Sequence, residues 1–307
     1  MKFGDICSGL GCVGLAMREI IGTHTYEFAA DIDPNCRYNL RHNFSPEVWH
    51  DDIKNITSLP KVDLFSAGFP CQPFSSINNL TNGVKHPKHD LFTDVLRCLK
   101  LCDPEIFILE NVKGLLFKSN TEYFKYICKC LDETGYNWAF KLMNSKNYGT
   151  PQSRSRVYFV GKKKGVPVFP VECPLSFTIA DIIDTTLPMT IRKPTLKVRE
   201  ALRKVMIKEN EGIVYIDNAQ SGGNFIKLYE LSTLNVIPCL IASHPFMLYK
   251  YKDNEIYERK LTCEETEQFQ NIEAYDNICS ENQYMRMIGN GMDVSMMQKL
   301  IALNTLK

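Results

Sequence analysis

Val62-Asp63-Leu64-Phe65-Ser66-Ala67-Gly68-Phe69-Pro70-Cys71-Gln72-Pro73-Phe74-Ser75 is a β-prone run that ends in glycine and proline and then presents a cysteine. A strand that ends this way sets Cys71 at the carboxyl edge of a sheet, where open α/β sheets bind ligands. Pro70 and Pro73 restrain the backbone, so the thiol is offered from a fixed position. A cysteine held like that is a nucleophile, a metal ligand or a small core residue.

Outward from this run, strand-like and helix-length segments alternate. Met1–Ile6, Tyr26–Ala30, Val62–Ala67, Ile106–Leu109 and Val157–Val160 read as strands. Gly14–Ile21, Pro34–His42, Asp90–Leu101 and Tyr123–Glu133 read as helices. The pattern predicts an α/β fold with a doubly wound, mostly parallel, Rossmann-like sheet. After Lys162-Lys163-Lys164-Gly165 the regularity is lost and prolines recur. Helical patterning returns from Leu261, and Met292–Leu303 reads as a closing helix. The expected anatomy is a discontinuous large domain, 1–184 plus 259–307, around a smaller irregular domain, 185–258.

No run of about 18 apolar residues exists, so no membrane span is expected. The N-terminus lacks a charged-then-apolar leader, and a cytoplasmic protein is expected, nuclear if eukaryotic. The 12 cysteines lack paired Cys-x-x-Cys spacing, so no metal site is expected. A net charge of +1 leaves nucleic acid open. Arg192, Lys193, Lys197, Arg199, Arg203, Lys204 and Lys208 against Glu200 alone make a local basic surface. Such a surface follows phosphates or is a solvated helix face.

Gly9-Leu10-Gly11-Cys12-Val13-Gly14 is a Gly-x-Gly-x-x-Gly turn between a strand and a helix. Asp31 follows about 20 residues later, as a nucleotide fingerprint requires, and could accept from two ribose hydroxyls. Both a dinucleotide and S-adenosylmethionine fit this much. Asp5, just before the turn, would repel a pyrophosphate and suit an amino group with a sulfonium charge, which favours the methyl donor.

Glu110 and Asn111 end the strand Glu105-Ile106-Phe107-Ile108-Leu109-Glu110-Asn111-Val112. Parallel strands bring their carboxyl ends to one edge, so Glu110 and Cys71 should face one crevice. A carboxylate buried there holds its proton more tightly and can serve as an acid, or it is a cap or a salt-bridge partner. In Gln152-Ser153-Arg154-Ser155-Arg156, alternate residues Gln152, Arg154 and Arg156 should share one strand face. Arginines there can grip a carbonyl oxygen, a phosphate or a carboxylate.

Taken in order, these motifs resemble the DNA cytosine-5 methyltransferase family. The resemblance runs through Asp5-Ile6-Cys7-Ser8-Gly9-Leu10-Gly11, Asp31, Asp52-Ile53, Pro70-Cys71-Gln72, Leu91-Phe92, Glu110-Asn111-Val112, Gln152-Ser153-Arg154-Ser155-Arg156, Arg259-Lys260-Leu261-Thr262 with Glu265, and Gly289-Asn290. It implies an S-adenosylmethionine-dependent methyltransferase fold, with 185–258 as target recognition domain. It implies that Cys71 attacks carbon 6 of a cytosine flipped out of duplex DNA. Glu110 would hold ring nitrogen 3, Arg156 the ring carbonyl, and Asn111 and Arg154 would support them. Cys7, Gly9, Gly11, Asp31, Ile32, Asp52, Ile53, Gly68, Pro70, Leu91 and Asn290 would form the cofactor pocket. In it Asp31 would bind ribose, Ile32 and Ile53 would sandwich adenine, and Asp52 would accept from its amino group. The segment Gln72–His89 resembles the family's mobile loop. Gln72, Ser75, Gln220, Ser221, Asn224 and the segment Ser243–Tyr249 are candidate DNA contacts. The partners implied are double-stranded DNA and a companion restriction endonuclease, with the chain itself a monomer.

Five departures stand out. Cys7 replaces a usual phenylalanine, Asp51 a glycine, and Lys88-His89-Asp90 an Arg-Gly-x triplet. Cys239-Leu240 stands for Thr-Leu, and Gly291-Met292 for a small residue followed by valine. Three competing readings remain: a transfer-RNA cytosine-5 methyltransferase, whose Cys-Phe-Thr signature is not found here, a catalytically silent DNA-binding relative, and a dehydrogenase.

Overall fold

The computed structural model describes residues 1–20, 22–69, 91–191, 214–217, 228–242, 246–252 and 255–305. Strands β1 (Lys2–Ile6), β2 (Thr25–Ala30), β3 (Val48–His50), β4 (Leu64–Gly68), β5 (Ile106–Val112) and β6 (Asn137–Asn144) join β8 (Ser155–Lys162), which follows the two-residue β7 (Gln152–Ser153). Together β1–β6 and β8 form a seven-stranded sheet of order β3-β2-β1-β4-β5-β8-β6. The first five strands in that order are parallel. β8 runs antiparallel to both β5 and β6.

Alternate residues of each central strand enter separate cores. Ile106 and Ile108 of β5 join Phe3, Leu64 and Val160 on one face. Phe107 and Leu109 join Phe28, Phe65 and Phe159 on the other. Both faces being covered, these strands are apolar almost throughout, as buried parallel strands must be. Helix α1 (Cys12–Arg18) and the last helix share the first core. After α2 (Pro34–Asn43), helices α3 (Leu91–Cys102) and α4 (Thr121–Asp132) bury Val95, Leu99, Ile127 and Leu131 in the second. α2 begins sharply because Asp33 accepts from the Asn35 N–H at 2.9 Å and Pro34 occupies its first turn.

The doubly wound sheet matches the pattern read from the sequence. Two of its strands were not foreseen. β3 has only three residues, and β6 is a sheet edge whose Phe140 and Leu142 remain 41% exposed, so neither shows a buried strand's apolar run.

A second, antiparallel sheet follows α5 (Ile179–Ile182). It contains β9 (Thr190–Ile191), β10 (Val214–Asp217) and β11 (Leu228–Glu230), with two later strands. β12 (Ile237–Pro238) leaves it and pairs in parallel with β7. β13 (Met247–Lys252) and β14 (Glu255–Lys260) complete the order β11-β10-β13-β14-β9.

The chain then returns through α6 (Cys263–Gln268), α7 (Glu281–Asn290) and α8 (Val294–Thr305). The return is fastened at Arg259, Thr262 and Glu265. Arg259 donates to both Glu265 carboxylate oxygens at 2.7 Å. Glu265 also accepts from the backbone N–H of Thr262 at 2.8 Å and of Asp184 at 3.0 Å. The Thr262 hydroxyl accepts from the Glu265 N–H, closing a capping box. One buried carboxylate therefore joins residue 184, the end of β14 and the start of α6. Among the described residues no helix is long and apolar enough to cross a membrane.

Candidate active site

Parallel β1, β4 and β5 end on one edge of the sheet, and antiparallel β8 begins there. The register sets Gly68 beside Glu110, Glu110 beside Tyr158 and Val112 beside Arg156. Glu110 and Arg156 thus lie diagonally across neighbouring strands on one face. Arg156 Nε is 2.9 Å from Glu110 Oε1, with both side chains almost buried. Burial works against the arginine charge, but the adjoining carboxylate outweighs it, and the Arg156 pKa is raised. Of the partners open to an arginine here, Arg156 has a neighbouring carboxylate. Among the roles the sequence left open for Glu110, that of a salt-bridge partner is present in the structure.

Arg156 also donates to the Ser155 carbonyl at 3.0 Å and to Cys239 Sγ at 3.8 Å. A guanidinium carries five N–H donors, so two stay available beyond the three engaged among the described residues. Asn111 does different work. Its amide donates to the Phe69 carbonyl at 3.0 Å, and its oxygen accepts from the Val112 N–H at 2.8 Å. It therefore anchors the chain two residues before Cys71. Pro70, Cys71, Gln72 and Ser75 lie outside the described residues, as does the segment Gln72–His89.

The expected shared face of Gln152, Arg154 and Arg156 requires correction. The strand breaks at Arg154, between β7 and β8. Gln152 is fully buried, donates to the Phe269 carbonyl at 2.6 Å and accepts from the Leu240 N–H at 3.0 Å. Arg154 is 1% exposed and donates to the carbonyls of Leu240 at 3.0 Å, Gly289 at 3.3 Å and Gly291 at 2.5 Å. The cause is a crowd of carbonyls: the break turns a guanidinium toward them. Only Arg156 of the three reaches Glu110. Gly289 must be glycine for this docking, since a Cβ there would lie 2.6 Å from the Ile241 carbonyl carbon.

On the cofactor side, Asp31 Oδ2 accepts from the Gly9 N–H at 2.7 Å and Oδ1 from the Asp33 N–H at 2.9 Å. Burial raises the Asp31 pKa. Gly9 has φ +54, and the space a side chain would fill is open. Gly11 differs. A Cβ there would meet Leu40 at 2.6 Å and Phe44 at 2.7 Å, so its missing side chain serves packing rather than a pocket.

Cys7, Ile53 and Leu91 share one apolar cluster. The Cys7 thiol is pushed up by burial and further by the nearby Asp31 carboxylate, with Asp52 a smaller contributor. Asp52 accepts from the Lys54 N–H at 2.9 Å. Ile53 is buried, whereas Ile32 is 73% exposed. Asn290 is exposed at the end of α7, and Gly291 packs on Cys12 of the glycine turn. The position of a Gly68 Cβ would be 3.7 Å from the Met292 methyl and 3.9 Å from Glu110 Oε2. The C-terminal return therefore meets both the turn and the edge carrying Glu110.

An open space at Gly9, an adjoining carboxylate and an exposed isoleucine suit a ribose and an adenine. Asp5 does not act as the sequence reading supposed. It is fully buried, neither oxygen meets a donor among the described residues, and burial raises its pKa well above the usual carboxylate range. Burial therefore works against the charge that the sequence reading gave it.

The nominated DNA contacts divide. Gln220, Ser221, Asn224 and the basic run 192–208 lie outside the described residues. Within Ser243–Tyr249, Phe246, Leu248 and Tyr249 are buried core residues and are withdrawn as base contacts. Cys239 was noted in the sequence only as a departure; no spacing signal joined it to the two arginines.

A family model described as C-5 cytosine-specific DNA methylase matches residues 1–303. Type II methyltransferase M.FnuDI of Fusobacterium nucleatum is 35% identical over 204 residues, covering 61% of this chain and 57% of its own length. Type II methyltransferase M.BsuFI of Bacillus subtilis is 36% identical over 163 residues, 52% and 39% respectively. The matched stretch thus spans about half the length of these relatives. A DNMT2 mutant from Spodoptera frugiperda superposes with a TM-score of 0.69 at 17% identity, covering 99% of both chains. Dnmt2 methyltransferase of S. pombe does so with 0.64 at 16%, covering 99% of this chain and 98% of that one.

Proposed function

Because the chain belongs to the family of C-5 cytosine-specific DNA methylases, we propose that it methylates carbon 5 of a cytosine flipped out of duplex DNA. S-adenosylmethionine, when bound, supplies the electrophilic methyl group that carbon 5 takes. Gly9, Asp31, Ile32, Asp52, Ile53 and Asn290 would hold that donor.

Carbon 5 of cytosine is a weak nucleophile, and the residues of this chain would remedy that. Cys71, as thiolate, forms a bond to carbon 6 and pushes electrons toward carbon 5. Glu110 engages ring nitrogen 3 and the exocyclic amine. The two remaining donors of Arg156 take the ring carbonyl oxygen, so the charge that develops there meets a fixed cation. Loss of the carbon 5 proton to water then expels the Cys71 sulfur as thiolate and restores the ring. Asn111 fixes the approach to Cys71, and Arg154 holds the wall behind it.

The single observation that carries this reading is the Arg156–Glu110 pair at 2.9 Å, on the edge that leads into Cys71. A recognition domain at 185–258 within a catalytic domain at 1–184 plus 259–307 is part of the proposal. The separate antiparallel sheet supports it, with β14 running two residues past that boundary. Exchanging 185–258 with a relative's segment should carry sequence preference with it; an unmoved preference would refute that division. The main test is labelled methyl transfer to duplex DNA beside total RNA, followed by bisulfite sequencing of the DNA. Label in DNA at one recurring sequence context is expected, and transfer to RNA alone would overturn the proposal.

A further inference from the structure

The guanidiniums of Arg154 and Arg156 converge on one sulfur. Arg154 Nη1 donates to Cys239 Sγ at 3.4 Å, and Arg156 Nη2 points at it from 3.8 Å. The backbone fixes this meeting. Pro238 pairs with Ser153, so the next residues on the two strands, Cys239 and Arg154, leave the ladder together. Leu240 is then held at both ends, its N–H by Gln152 and its carbonyl by Arg154. Cys239 has little freedom to move away.

We propose that Cys239 is a positioning residue whose sulfur accepts from both guanidiniums and keeps Arg156 turned so that its Nε meets Glu110. The proposal rests on reading Glu110 and Arg156 as the base-binding pair. The charged groups facing the sulfur among the described residues are Arg154 and Arg156, with Glu110 beyond the latter. Burial opposes ionisation of this thiol, but the two cations outweigh it, and the Cys239 pKa is lowered. Burial pushes the thiols of Cys7, Cys36 and Cys102 the other way. While protonated, the sulfur donates to the Leu240 carbonyl 3.2 Å away. Once ionised it is a pure acceptor, and the Arg154 N–H already on that carbonyl offsets the loss. A threonine, usual here in the family the sequence resembles, offers no ionising group, so the charge would be particular to this chain.

Two measurements on the full chain test this. Thiolate ultraviolet absorbance is titrated for the wild type and for Cys239→Ser. A step belonging to Cys239 is expected below the ordinary thiol value of about 8.5; coincident curves in that range would overturn the proposal. Steady-state kinetics across pH follow. Cys239→Ser should lower kcat roughly tenfold, the order expected for one hydrogen bond to a charged group. It should leave KM for the methyl donor unchanged and lose the acid-side limb that the wild type shows. Cys239→Asp should recover much of kcat, with any acid-side limb moved to the lower carboxylate range. Unchanged kcat and pH profile in Cys239→Ser overturn the role of Cys239. Adduct formation by the wild type on 5-fluorocytosine DNA separates the two ideas. An adduct together with unaffected Cys239→Ser kinetics sinks only the Cys239 role, whereas no adduct sinks the reading of the base-binding pair.

Discussion

Arg154 should prove a structural cation, and replacing it with methionine tests that. The side chain is 1% exposed and serves the carbonyls of Leu240, Gly289 and Gly291. Methionine fills much of the volume and donates nothing. Each buried carbonyl left without a donor costs about 1–3 kcal/mol. Three such groups would cost roughly 3–9 kcal/mol, and releasing a buried charge returns several kcal/mol of desolvation. The net expectation is a loss of about 3 kcal/mol. For a chain of this size, at about 2.1 cal/mol/K of unfolding entropy per residue, that lowers Tm by roughly 5 °C. Calorimetry and urea unfolding read the loss directly. Arg154→Lys should recover less than half of it, because one ammonium cannot span carbonyls from two separate segments. A melting temperature within about 2 °C of wild type, combined with lost turnover, would refute the reasoning and move Arg154 to the substrate.

Three further outcomes are expected. Gly289→Ala should loosen α7 from residues 241–242, because its Cβ would meet backbone atoms at 2.6–2.8 Å; hydrogen exchange should rise in both segments, and unchanged protection would contradict the packing. Asn111→Ala removes the hold on the Phe69 carbonyl, so kcat should fall by roughly a hundredfold through misplacement of Cys71 while affinity for the methyl donor stays put; an equal loss in both would argue against that role. Asp5 has a folded pKa raised well above 3.8 by burial, so its contribution to stability is full below the unfolded value and is lost as pH rises toward the folded one. Wild type should therefore lose stability relative to Asp5→Asn as pH rises above the ordinary carboxylate range, and a gap that urea unfolding finds constant with pH would show that Asp5 is ionised in the fold.

The sheet was legible because apolar strands and helix-length segments alternate along its first half, with both faces buried. Ile106–Leu109 read as a strand for the same reason that its alternate residues enter two cores. β6 was not legible, since an edge strand with one open face mixes Trp138 and Phe140 with Asn137 and Lys141. Strand logic placed Glu110 on the edge with Cys71, whereas Arg156 was joined to it only by the family resemblance. Their pairing depended on the antiparallel insertion of β8, which no local pattern signals. Arg154 misled because alternation assumes an unbroken strand, whereas a two-residue β7 ends just before it. Asp5 misled because charge was assigned without burial. The contact between Cys239 and the arginines joins residues more than 80 positions apart, beyond the reach of any spacing rule.

The most direct measurement uses duplex DNA carrying 5-fluorocytosine with S-adenosylmethionine present. The fluorine blocks the last step, so a sulfur bonded to carbon 6 stays bonded. The expected result is a denaturation-resistant complex of chain, DNA and one methyl group, with peptide mapping placing the bond on Cys71 and Cys71→Ser forming none. Methylation of ordinary DNA with no trapped complex, or a bond at another residue, would contradict the account.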